Sequence, residues 1–140
     1  MTITMTFDTK IAVVLRNDLP TWQKLNVTAF TISGIAGTVE DIVGEAYQDG
    51  SGNLYLPMIK QPILVFEATA DQIRRAYERA LQRGVTFSVF TEDLFATSND
   101  IDNRAAVKAK PSEALQVVGM AMRDKKKTIE KVLDGLSLHR

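Results

Sequence analysis

The chain has no cysteine, so disulfides and thiolate metal sites are excluded. Histidine is nearly absent too: there is one, His139. That rules out a histidine-cluster metal site, and it rules out a serine–histidine triad unless this residue folds inward. Net charge is also missing, because 17 basic residues balance 17 acidic ones. A neutral chain has no strong nonspecific grip on nucleic acid, where phosphate neutralisation dominates affinity. No apolar run approaches the roughly 20 residues that span a bilayer. The start, MTITMTFDTK, lacks the basic and apolar regions of a signal peptide. A soluble, cytoplasmic protein away from membranes is expected.

What is present is an ordinary globular composition, 45% apolar over 140 residues, which fits one domain. Residues 1–9 read as a loose lead-in and residues 10–140 as the domain. Lys10 to Leu15, KIAVVL, is a continuous β-branched run that fits a strand covered on both faces. Arg16-Asn17-Asp18-Leu19-Pro20 ends it, and Pro20 suits the start of a helix. From Thr21 to Val39 a helix is predicted with the stripe Leu25, Ala29, Ile32, Ala36 and Val39. Propensity is poor there, so burial must hold it. Its small residues Ala29, Ser33, Gly34 and Gly37 allow close approach of another backbone. Asp49-Gly50-Ser51-Gly52-Asn53 is a turn cluster, with short extended pieces or a hairpin around it.

Pro62 to Ala68, PILVFEA, is the second strong strand. Thr69 and Gln72 form a capping box for the next helix, which Gly84 stops. Val85 to Phe90 is the third strand, Leu115 to Met122 the fourth, and Arg123 to Leu136 a final helix. The order predicts an α/β sandwich with helices on both faces.

Thr91 to Arg104, TEDLFATSNDIDNR, is the candidate site. Three aspartates, one glutamate and two asparagines crowd into fourteen residues. Ligands of open α/β sheets bind beyond the carboxyl ends of strands. A third strand parallel to the first would bring Glu92 and Asp93 to the edge that holds Arg16 and Asp18. Lys24, near the start of the first helix, would be close by. Lys24, Glu92 and Asp93 are the candidate catalytic residues: the lysine to hold a carbonyl oxygen, the acids to activate water. Asp18, Asn26, Thr97, Asn99, Asp100, Asn103 and Arg104 are candidate ligand-binding residues. Each also has a structural reading: Asp18 as a helix cap, Glu92 and Asp93 as first-turn acids. Phe95 and Ile101 could pin the stretch to the core. Asp100 and Asp102 beside Asn99 and Asn103 suggest calcium, but no central glycine or closing glutamate is present. No metal and no cofactor is expected.

The second helix carries Arg74, Arg75, Arg79 and Arg83, with pairing expected for Asp71–Arg75 and Arg74–Glu78. Lys125-Lys126-Lys127 falls at the start of the last helix, where cations are disfavoured. Trp22 either staples the entry to the first helix or stacks on a ligand.

Three segments, RNDLPTWQKLNVTAF (Arg16 to Phe30), ERALQRG (Glu78 to Gly84) and EDLFATSNDIDNRAAV (Glu92 to Val107), carry a resemblance. Over Lys10 to about Leu138 the chain resembles an uncharacterised family of small bacterial proteins with the fold of type-II peptidyl-tRNA hydrolases. That resemblance implies a three-layer α/β/α sandwich on a mixed sheet of four or five strands. It also implies a homodimer, since hydrolases of this fold are commonly dimeric. Arg16, Asp18 and Leu19 match the hydrolases' Arg-x-Asp-Leu. Lys24 falls one position short of their lysine, and Gln23 stands where they have glycine. Their Asp-Ala-Gly-Arg-Thr-Gln loop is replaced by Glu92 to Arg104. Three readings of function remain open. One is a hydrolase or transferase acting on an ester, amide or nucleotide-like ligand, with tRNA as its special case. Another is a noncatalytic ligand- or protein-binding homodimeric module. The third is a homodimer whose polar loop locks the subunits or braces the fold, with Asn103 and Arg104 bonding to backbone within the core or across a two-fold.

Overall fold

In the computed structural model, which describes residues 7–140, strand β1 (Thr9–Arg16) lies at the centre of a five-stranded mixed sheet. The sheet order is β5-β6-β1-β4-β7, with β4 at Ile63–Ala68, β5 at Phe87–Thr91, β6 at Val117–Lys125 and β7 at Ser137–Leu138. β4 is parallel to β1, while β6 is antiparallel to both β1 and β5. β5 therefore runs in the direction of β1, as the site reading required. The expected lead-in lies outside the described residues up to residue 6, and Thr9 already belongs to β1.

The unbroken apolar run of β1 has a direct cause. Ala12 and Val14 pack with Ile73, Ala76, Tyr77 and Ile129 on one face. Ile11, Val13 and Leu15 pack with Val27 and Ile35 on the other. A strand covered on both faces has no side to give to water. The first face is closed by α2 (Ala70–Gln82) and α4 (Lys126–Val132), the second by α1 (Thr21–Thr38).

α2 obeys its local signals. Thr69 Oγ1 accepts from the Gln72 backbone N–H at 3.2 Å, and Gln72 Oε1 accepts from the Thr69 N–H at 2.9 Å. Gly84 follows with φ +67°, the left-handed conformation that favours glycine. Of the two expected ion pairs on this helix, Arg74–Glu78 forms at 3.1 Å. Asp71–Arg75 is not among the ion pairs of the described residues.

α1 forms where expected, and Ile32 and Val39 of the expected stripe pack against the core, but its most buried line is a different one. Val27, Thr31 and Ile35 are buried, whereas Leu25 and Ala29 face outward. Several faces of this β-branched helix are comparably apolar, so periodicity alone does not choose among them. Contact with the sheet does. Val27 sits over Gly119 of β6, and Ser88 Oγ of β5 donates to the Thr31 carbonyl at 2.6 Å. Gly34 is the small residue that allows close approach: a Cβ there would lie 3.1 Å from Ser88 Cβ. Gly37 faces open space.

Other boundaries move. β6 runs on to Lys125, so the lysine run spans the end of a strand and the first turn of a short helix. β7 was not foreseen; it adds two residues at the far edge of β4. Between α1 and β4 a hairpin forms, β2 (Tyr47–Gln48) with β3 (Leu54–Tyr55), rooted by the bridge Val43–Ile59. No helix among the described residues is long and apolar enough to cross a membrane.

Candidate functional site

The polar stretch is built, not loose. After β5 it makes a 3-10 turn, Glu92–Ala96, then helix α3, Asp100–Lys108. Asn99 is the N-cap of α3: its Oδ1 accepts from the Asp102 N–H at 2.9 Å. Thr97 Oγ1 bonds to the Leu94 carbonyl at 2.9 Å and to Asn103 Oδ1. Asp100 pairs with Arg104 at 2.8 Å, four residues on. Asp93 pairs with Lys110 at 2.7 Å. Much of the polar chemistry that marked this stretch is therefore used to cap and staple it. Phe95 anchors it, with its ring 5.0 Å from Phe90 and 6.3 Å from Trp22. Ile101 does not: it points to solvent.

What the stretch builds is one wall of a groove. α3 supplies Asp100, Asn103, Arg104, Val107 and Lys108. α1 supplies the opposite wall through Phe30, Thr31, Ser33 and Gly34. The floor is β5, an outer strand of the sheet, through Ser88, Val89 and Phe90. The cavity is about 420 Å³, within the size range of small-molecule sites. Apolar side chains make its body. At its rim Arg104 is already paired with Asp100, while Lys108 has no ion-pair partner among the described residues.

A second feature lies beyond the carboxyl end of β1. Arg16 is largely shielded, with its side chain 15% exposed. Its Nε donates to Asp18 Oδ1 at 2.6 Å, and Glu92 Oε2 stands 3.9 Å from another guanidinium nitrogen. Arg16 and Arg74 border a cleft of about 310 Å³ beside the start of α2. Thr91, paired in register with the cleft residue Val117, is fully buried at the β-bulge, and its hydroxyl has no hydrogen-bond partner among the described residues.

The expected meeting of Lys24 with Glu92 does not occur. Lys24 Nζ lies 3.0 Å from His139 Nε2. His139 follows β7, and Glu92 follows β5, so the two groups belong to opposite ends of the sheet order. The antiparallel β6 between β5 and β1 moves Glu92 outward by one strand, and Arg16 takes it up instead. Asp18 stays with Arg16; Asn26 is exposed on α1 and makes no side-chain hydrogen bond among the described residues. Asp100, Asn103 and Arg104 do come together, in the groove. Sequence reading missed Phe30, Phe90, Val107 and Lys108. Phe30 carried the usable signal: an aromatic off the predicted stripe of its helix.

Together these features define a small α/β sandwich with a ligand-sized groove beside one outer strand and an arginine-centred cleft at the strand ends. The chain belongs to the family described as Protein of unknown function (DUF2000), whose model matches residues 9–140. It is also similar to a solved structure of a protein of unknown function from Agrobacterium tumefaciens strain C58. The two share 45% identity with a TM-score of 0.94, over 96% of this chain and 100% of that one. No curated protein matches the chain.

Proposed function

We propose that this protein is a noncatalytic binding module, working as a homodimer, whose groove between α1 and α3 takes a small ligand. The ligand has an apolar body and one acidic group. The observation that carries this reading is the pairing of apolar walls with Lys108 at the groove rim, a cation with no ion-pair partner among the described residues. A carboxylate or phosphate there gains a charge-assisted contact while the body of the ligand leaves water. Catalysis is the weaker reading at this groove, because its acid Asp100 is exposed and tied to Arg104. The likeness to type-II peptidyl-tRNA hydrolases belongs to the same proposal, supported by a five-stranded mixed sheet with helices on both faces.

An aryl sulfonate dye, 1-anilinonaphthalene-8-sulfonate, has the required chemistry and tests this. Native protein should bind it saturably, and alkyl or aryl carboxylates should displace it. Lys108→Gln should weaken binding about tenfold, and Val107→Asp should abolish it. Unchanged affinity in both variants would refute the groove assignment.

A second reading is hydrolysis of an ester, amide or nucleotide-like ligand, and it rests on Arg16. A shielded guanidinium facing a cleft is suited to hold a carbonyl or phosphoryl oxygen as charge develops. Glu92, beside Arg16, would activate water, with Asp93 next in the chain; Lys24 stands apart with His139. Peptidyl-tRNA is the special case. No release from peptidyl-tRNA or simple aryl esters above buffer would remove this reading.

A further inference from the structure

Two exposed segments of this chain are almost free of charge, although 24% of the whole chain is charged. In the 18 residues of α1 the only charged residue is Lys24, held against His139. In the hairpin arm, residues 46–58, the only one is Asp49. Both segments expose large apolar side chains. Trp22 is 63% exposed and Leu25 68%. On the arm, Tyr47, Leu54, Tyr55, Leu56 and Met58 are all more than half exposed, Leu56 at 85%. β2 and β3 pack chiefly on each other, so the arm stands out from the body with its apolar side chains uncovered.

The arm is nevertheless pre-shaped. Asp49 Oδ1 accepts from the backbone N–H groups of Ser51 and Asn53 at 2.9 and 3.0 Å. Its Oδ2 accepts from Asn53 Nδ2 at 3.0 Å and from the Tyr55 hydroxyl at 2.8 Å. A strand pair this short is marginal alone in water. A turn so fully bonded holds it ready and lowers the ordering cost of docking.

We infer that the arm of one copy docks on the outward face of α1, around Trp22 and Leu25, of a second copy related by a two-fold axis. Area supports this occupant. The five arm residues and two helix residues together expose on the order of 900 Å² of side chain per copy, and a specific interface of standard size covers about 800 Å² per partner. Composition supports it too, since interface cores lack charge and favour aromatic residues and methionine. An isologous contact covers arm and helix on both copies with one symmetry operation. The inference rests on the homodimer of the proposed function and leaves the groove out.

Sedimentation over a dilution series tests it, with Trp22, the only tryptophan, as a second readout. Wild type should sediment as a dimer, and Trp22 emission should shift to the red as the dimer dissociates. Leu56→Asp and Leu25→Asp should each raise the dimer dissociation constant at least tenfold with an unchanged far-UV circular dichroism spectrum. Leu56→Gln, a milder change on the same uncovered side chain, should weaken the dimer in the same direction. A wild type that stays monomeric overturns both the homodimer and this surface. A dimer that all three variants leave intact overturns the surface alone. Loss of the dimer in only one of the two segments overturns the pairing of arm with helix.

Discussion

Replacing Gly119 with alanine tests how closely α1 is held to the sheet. A Cβ added at Gly119 would lie 2.2 Å from Val27 Cγ1, with the Val14 carbonyl at 3.5 Å and Leu15 Cδ2 at 3.6 Å. Comfortable carbon–carbon contact needs about 3.5–4.0 Å. Val27 cannot swing aside: it is fully buried, and its β-branched side chain keeps one rotamer in a helix. The helix must lift or the strand must bend, which costs about 1–3 kcal/mol. Val27→Ala alone removes two buried methyl groups and should cost about 2 kcal/mol. In the double variant the new methyl of residue 119 enters the space that Val27 vacates. The two losses should then fall short of additive by about 1–2 kcal/mol. Urea unfolding followed by far-UV circular dichroism measures all four proteins, and the comparison holds if their m-values agree. Strict additivity would refute the close packing of α1 on β6. Because Phe30, Thr31 and Gly34 ride on α1, Gly119→Ala should also weaken dye binding in the groove.

Three further expectations follow from local geometry. Asn99→Ala removes the cap of α3 and should cost about 1 kcal/mol, with weaker groove binding; unchanged stability in urea would refute the cap. Thr69→Ala breaks the capping box of α2 and should cost about 1 kcal/mol by the same assay, without loss of groove binding. Asp49 adds a pH-dependent test. Hydrogen bonds from the Asn53 side chain, then from Tyr55, hold its carboxyl from 3.8 down to about 2, and the bond to Asp49 pushes the Tyr55 phenol up. A carboxyl whose folded value is depressed stabilises the fold fully above its unfolded value, and that contribution is lost as pH falls through the folded one. The arm should therefore keep its turn at pH 4 and lose it near pH 2, read from the Tyr55 ring resonances. A transition centred at 3.8 would refute the network.

The strands β1 and β4 announced themselves through unbroken apolar runs, because a strand covered on both faces leaves little room for polar alternation. Thr69, Gln72 and Gly84 announced both ends of α2, because caps and left-handed turns are settled by a few adjacent residues. Asn99 carried the same kind of signal. It went unread because the density of polar groups from Thr91 to Arg104 suggested a loop, and α3 starts at Asp100. That polar density turned out to hold caps, an i,i+4 pair and a hydroxyl bond, all of short range.

By itself the sequence determined the strands β1 and β4 and the helices α1 and α2, and it marked Asp100, Asn103 and Arg104 as neighbours, because those outcomes depend on contacts within a few residues. Only the tertiary structure decided that β6 enters antiparallel between β5 and β1, parting Glu92 from Lys24 and giving it to Arg16. Only it decided that Val27 and not Leu25 faces the core, leaving Trp22 and Leu25 uncovered. Strand order and the choice of a buried face are settled by contacts between residues far apart in the chain, where several arrangements satisfy every local preference and the sum of packing selects one.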